Sequence, residues 1–192
     1  MLELIKKIRS ETGAGVIDIK KALEEANGSE KDAVDILRRR GLEKAGKKGS
    51  REAKEGVIVS YVHTNGKVAV LVKVLCETDF VARNDEFKEL ANDLAMQIAA
   101  MDPKSVSPED IPQLFIDEHK KDWKKEAEDE KKPEDITKKI IEGKEQRLRN
   151  ENALLAQAFI KDQDKTVEEV IKGKIAKMGE NIKVEEFVRL EL

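Results

Sequence analysis

Three observations on this 192-residue sequence predict an α+β fold. Apolar residues recur at helical spacing through the first forty residues. The period then falls to two on either side of an Asn65-Gly66 pair. After a long, highly charged helical stretch, the last residues alternate again. Together these predict an N-terminal three-helix module, then a small three-stranded antiparallel sheet packed with helices and carrying a charged helical excursion. The expected divisions are a module over 1–41, a basic linker over 42–56, and a sheet–helix core over 57–192 that includes the charged region 113–155.

Each element has its own signal. Leu4, Ile5 and Ile8 make a first stripe, which Thr12-Gly13-Ala14-Gly15 interrupts because paired glycines open the backbone to turns. Val16, Ile19, Leu23 and Ala26 make a second, ended by Asn27-Gly28. Ser29 is placed to cap a third helix over Glu30–Arg40, with Asp32 where a capping box would have Glu, and Gly41 is expected to stop it. Lys44, Lys47, Lys48, Arg51 and Lys54 then make a basic connector.

Val57–His63 and Lys67–Glu77 read as strands, and the Asn-Gly between them is the strongest short-range hairpin signal. Val68, Val70, Val72, Val74 and Cys76 share one face, while Ala69, Leu71 and Leu75 share the other, so both faces are expected to be covered, by helices or by another subunit. Asp85–Met101 returns to helical spacing. Pro103, Pro108 and Pro112 mark a break, followed by a charged helix over 113–131 and another from Pro133 to about Leu155. Val167–Met178 is amphipathic and closed by Gly179. Val184–Leu192 alternates as a strand that must pair with the hairpin, because two strands alone are marginal.

Composition narrows the function. Charged residues make up 40% of the chain and aromatic residues 4%, a Lys/Glu excess shared by heat-adapted proteins and by chains rich in exposed helix. The net charge of −3 argues against direct nucleic-acid binding, because phosphate recognition calls for a basic excess. Cys76 is the single cysteine, so no internal disulfide and no cysteine-cluster metal site is expected. No signal segment and no apolar run of roughly 20 residues is visible, which leads us to expect a cytoplasmic protein with no membrane contact.

Motifs for catalysis are missing. There is no P-loop, Gly-x-Gly-x-x-Gly, His-Glu-x-x-His or Gly-x-Ser-x-Gly. His63 and Cys76 would be the pair to consider for nucleophilic chemistry, but a cysteine among valines is usually a small core residue. The acidic stretch Glu126–Glu130 lacks the order of a calcium loop. We expect no catalytic residues, no metal and no cofactor.

The remaining candidate is the segment after the second strand, Cys76-Glu77-Thr78-Asp79-Phe80-Val81-Ala82-Arg83-Asn84. Thr78 is a good N-cap and puts Asp79 at the first helical position, where its charge complements the helix dipole. Asn84 or Asp85 then caps the next helix, which leaves a single short turn. Two placements stay open for Phe80: exposed at the start of that turn, or anchoring the turn in the core.

The run from Arg9 to Leu23, Arg-Ser-Glu-Thr-Gly-Ala-Gly-Val-Ile-Asp-Ile-Lys-Lys-Ala-Leu, resembles the amino-terminal signature of the bacterial translation elongation factor Ts family. Cys76–Asn84 resembles its second signature, and Gly179-Glu180-Asn181-Ile182 is similar to the family's closing pattern. The likeness extends over nearly the whole chain and is weakest over 102–135. It implies a guanine-nucleotide exchange factor for elongation factor Tu. The N-terminal module, similar to a ubiquitin-associated domain, would dock on the partner's GTPase domain through Arg9, Thr12, Gly13 and Val16. Asp79 and Phe80, with Thr78, Val81 and Arg83 around them, would insert into that domain and disturb the magnesium and phosphate site. Longer family members carry a duplicated core, so this chain resembles a short form. A homodimer is therefore expected, with the sheet around Val70, Val72 and Val188 or Leu190 near the interface. The competing readings are an adaptor without exchange activity and a nucleic-acid module using Lys6, Lys20 and the 44–54 connector.

Overall fold

The helical stripes of the first forty residues close on one another. In the computed structural model, which describes residues 2–129 and 133–192, α1 (Leu2–Thr12), α2 (Val16–Glu25) and α3 (Glu30–Lys48) surround Ile5, Ile8, Ile19, Leu23, Val34 and Leu37. The junctions use the residues suited to them. Asn27 and Gly28 take positive φ, and the Ser29 hydroxyl accepts a hydrogen bond from the Asp32 amide.

One boundary is corrected: α3 does not stop at Gly41 but continues to Lys48, so the expected linker begins as helix. Gly41 serves packing here. A Cβ at that position would lie 3.0 Å from the Cβ of Ala176, tighter than ordinary contact, so a larger residue would push the two segments apart by a few tenths of an ångström.

The hairpin forms as expected from β1 (Glu55–Val62) and β2 (Val68–Cys76), with Val59 opposite Val72 and Tyr61 opposite Val70. A single turn, α4 (Asp79–Arg83), follows, then α5 (Asp85–Met101), α6 (Gln113–Asp129), α7 (Glu134–Asn152), β3 (Ala158–Phe159), β4 (Asp162–Thr166), α8 (Val167–Met178) and β5 (Lys183–Glu191). Strand order is β1-β2-β5, antiparallel throughout, so the final strand completes the sheet. The distal end of the expected 113–131 helix and part of the acidic stretch Glu126–Glu130 lie outside the described residues.

The chain divides into two compact units, residues up to Met96 with Glu168–Leu192, and Gln97–Val167. In the first, Val70, Val72 and Val74 of the sheet, Phe87, Leu90 and Leu94 of α5, and Ile171 and Ile175 of α8 are buried. The opposite face of the sheet carries Ile58, Val62, Leu71, Val188 and Leu190, all exposed. One of the two faces is thus covered within the single chain, and the other is open in it. Val70 and Val72, at 2% and 1% exposure, lie in the core of the chain, whereas Val188 and Leu190 lie on the open face.

In the second unit, a Lys120–Glu145 ion pair joins α6 to α7, and Arg149 pairs with the same carboxylate from one turn along α7. Glu145 is held below the usual carboxylate range by hydrogen bonds from Lys120 and Arg149. The β3–β4 hairpin was not expected from sequence. It is held by a buried amide: Gln97 donates to the Gln157 side chain and the Ala158 carbonyl, and accepts from the Ile160 amide at 2.8 Å.

Candidate functional site

The turn after β2 is built from the chain's own capping chemistry. The Thr78 hydroxyl accepts from the Val81 amide at 3.4 Å and so caps α4. Asp79, in the first turn, pairs with Arg83 at 3.0 Å across one helical turn. Ala82 is buried and Val81 half-buried, so these two hold the turn against the protein. Phe80 is 82% exposed. Of the two placements left open by the sequence, the exposed one is the case, and Ala82 takes the anchoring role.

A second loop braces this turn. The Glu180 carboxylate accepts from the Thr78 hydroxyl at 2.6 Å, the Thr78 amide at 3.0 Å and the Glu77 amide at 3.2 Å. In return, Glu77 Oε1 accepts from the Asn181 amide at 2.6 Å. Asn181 is buried, and its side chain donates to the backbone carbonyls of Gly49 and Arg51, just past α3. Lys48 donates to the Gly179 carbonyl at 2.7 Å. None of these partners is close in sequence, and Glu180 and Asn181 carried no signal beyond the family's closing pattern.

At the other predicted contact, the side chains divide. Arg9 and Val16 are exposed. Thr12 is engaged within the chain: its hydroxyl donates to the Ile8 carbonyl at 2.7 Å and accepts from the Ala14 amide. Gly13, at φ +67°, lies directly against Lys177 of α8, where a Cβ would meet Cγ at 2.8 Å. Ile17, which sequence reasoning passed over, is 71% exposed. The missed signal was an apolar residue standing off the Val16–Ile19–Leu23 stripe.

The Cys76–His63 pairing has no geometric basis. Cys76 lies opposite Glu55 at one end of the hairpin, and His63 follows Val62 at the other. Eight residues of strand separate them by roughly 26 Å. The Cys76 thiol is buried and donates to the Thr78 carbonyl. Burial, with a smaller push from the nearby Glu180 charge, raises it to about 11. Among the described residues no three His, Cys, Asp or Glu side chains gather as a metal-ligand set, and no helix is long and apolar enough to cross a membrane.

A family described as Elongation factor TS matches residues 42–192. Proteins named Elongation factor Ts are similar over almost the whole chain. That of Thermosipho melanesiensis is 52% identical over 187 residues, covering 97% of this chain and 95% of its own. That of Fervidobacterium nodosum is 50% identical over 190 residues, covering 99% and 96%. That of Thermotoga maritima is 51% identical over 191 residues, covering 100% and 95%. On a match of this extent, by family and by individual relatives, the chain belongs to the elongation factor Ts family.

Proposed function

We propose that this chain is a guanine-nucleotide exchange factor that binds elongation factor Tu and promotes GDP release during translation elongation. The observation that carries the proposal is Phe80, an exposed aromatic ring on a short, capped and braced turn. A large ring left in water on a rigid support is the anatomy of an interface anchor. Asp79 and Phe80 form the inserting tip; Thr78, Val81 and Arg83 shape it. Insertion beside the partner's phosphate site displaces the groups that hold magnesium and nucleotide.

The energetic logic is linkage. A factor that binds the nucleotide-free partner more tightly than the GDP-bound one must weaken GDP binding by the same ratio. No bond is made or broken by the factor, so it acts without catalytic residues, metal or cofactor. We assign the module over 1–41 to initial docking, through Arg9 and Val16 directly, with Thr12 and Gly13 shaping the loop between them. The core over 57–192, with its charged 113–155 region, carries the wedge. The open sheet face, on which Ile58, Leu71, Val188 and Leu190 stand exposed on three neighbouring strands, supports a homodimer formed through that face. Such a factor works in the cytoplasm and needs no direct nucleic-acid contact.

The test is release of a fluorescent GDP analogue from purified elongation factor Tu with and without this protein. Release accelerated at substoichiometric amounts supports exchange. Stable complex formation without acceleration would make the chain an adaptor instead.

A further inference from the structure

We propose that Glu180 is a positioning residue for exchange, setting the angle at which the α4 turn presents Asp79 and Phe80; this rests on the exchange reading above. The Thr78 side chain caps α4, and its hydroxyl does two things at once. It accepts from the Val81 amide and donates to Glu180 Oε1 at 2.6 Å. The donated proton fixes the hydroxyl's orientation, so its lone pairs remain aimed at the helix. The other carboxylate oxygen takes the amides of Glu77 and Thr78, the two residues that join β2 to the turn. A charged acceptor with three donors on one short segment is stronger and more directional than neutral pairs would be. Without it, the junction between strand and turn is left with the Cys76 thiol contact, the Glu77–Asn181 bond, the Arg51–Glu77 ion pair and the Ala82 amide on the Thr78 carbonyl.

Glu180 itself stands between two fixed points. Gly179 accepts from Lys48, and Asn181 is buried against the chain after α3. The side chain that aims the wedge therefore sits on the same short loop that grips the end of the N-terminal module. A shift of about 1 Å in a positioned group can cost on the order of a hundredfold in rate. Loss of Glu180 is thus expected to act on the wedge's effectiveness rather than on docking.

The experiment measures fluorescent GDP release from elongation factor Tu over a range of factor concentrations, giving a maximal rate and a half-saturation concentration. Glu180→Gln and Glu180→Ala should lower the maximal rate by about tenfold or more while half-saturation stays within about twofold. Thr78→Ser, which keeps the hydroxyl, should retain most activity, whereas Thr78→Val should behave like Glu180→Ala. Their double variant should be no worse than the poorer single one within about twofold, since both break one connection. Hydrogen exchange of the free variants should show the Glu77, Thr78 and Val81 amides losing protection while β2 amides keep theirs. Wild-type rates for both Glu180 variants, strictly additive losses in the double variant, or unchanged amide protection would each overturn the proposal and leave the exchange reading intact. A wild-type protein that fails to accelerate release overturns the exchange reading and this proposal with it. Should Glu180→Ala unfold, Glu180→Gln and Thr78→Val carry the same comparison.

Discussion

Replacing Phe80 with alanine separates the wedge from the fold more cleanly than any other change. The ring is 82% exposed, so only roughly 40 of its ~200 Å² rest on the protein. At about 25 cal/mol per Å², truncation costs the fold on the order of 1 kcal/mol, a few degrees in Tm for a chain of this size. In a partner's pocket the same ring would bury roughly 160 Å², with an upper bound of about 4 kcal/mol. Anchors of this kind usually lose at least about 2 kcal/mol on truncation, so the rate of GDP release should fall by about 30- to 1,000-fold. Stopped-flow release of a fluorescent GDP analogue from elongation factor Tu measures the rate, and circular dichroism measures the melt. Exchange within about threefold of wild type would refute the wedge. A Tm drop beyond about 10 °C would show that Phe80 supports the fold, and that the exposed placement misstates its role.

Two further outcomes follow from the same structure. Leu71→Lys with Val188→Lys puts charges on the open sheet face while leaving Val70 and Val72 untouched; sedimentation at micromolar concentration should shift from dimer to monomer, and an unchanged sedimentation coefficient would remove the sheet from the interface. The Cys76 thiol, raised to about 11, stays protonated in the folded state through the range in which an unfolded cysteine ionises. Its contribution to stability is therefore complete below about pH 8.5 and lost as pH rises from there towards 11. Cys76→Ala should flatten part of that alkaline decline in denaturant melts, and wild-type protein should react with thiol reagents at pH 8 only on unfolding.

Sequence patterns made the periodic elements legible and left the long-range chemistry hidden. The α1–α3 stripes, the Ser29 cap and the Asn65-Gly66 hairpin are local, and each is written within a few residues. The β3–β4 hairpin escaped because Asp-Gln-Asp-Lys-Thr has no apolar alternation, and its support is a glutamine on α5. Gly41 misled because a glycine that ends a helix and one that admits a neighbour look alike in sequence; only Ala176 distinguishes them. The two-sided apolar pattern of β2 correctly marked a sheet with two sticky faces, but it could not say that only one is covered within the chain. At the candidate site, Thr78 and Phe80 were visible as a cap and an oddly placed ring. Glu180 was not, because a carboxylate whose partners lie across the fold leaves no periodic trace.

The place of β5 in the sheet also governs when this protein can become functional during its own synthesis. β2 is the central strand, and its second neighbour is the last element of the chain, with Leu75 paired to Lys183 and Val68 to Glu191. The N-terminal helices rest on local contacts and can form as soon as they clear the ribosome. The β1–β2 hairpin must instead wait, with the long Gln97–Val167 unit being made in between, until β5 arrives. At the ribosome's pace of about 5–20 residues per second, that leaves an open, valine-rich edge for several seconds. A chain without β5 should therefore present the unpaired edge of β2 as a site for aggregation.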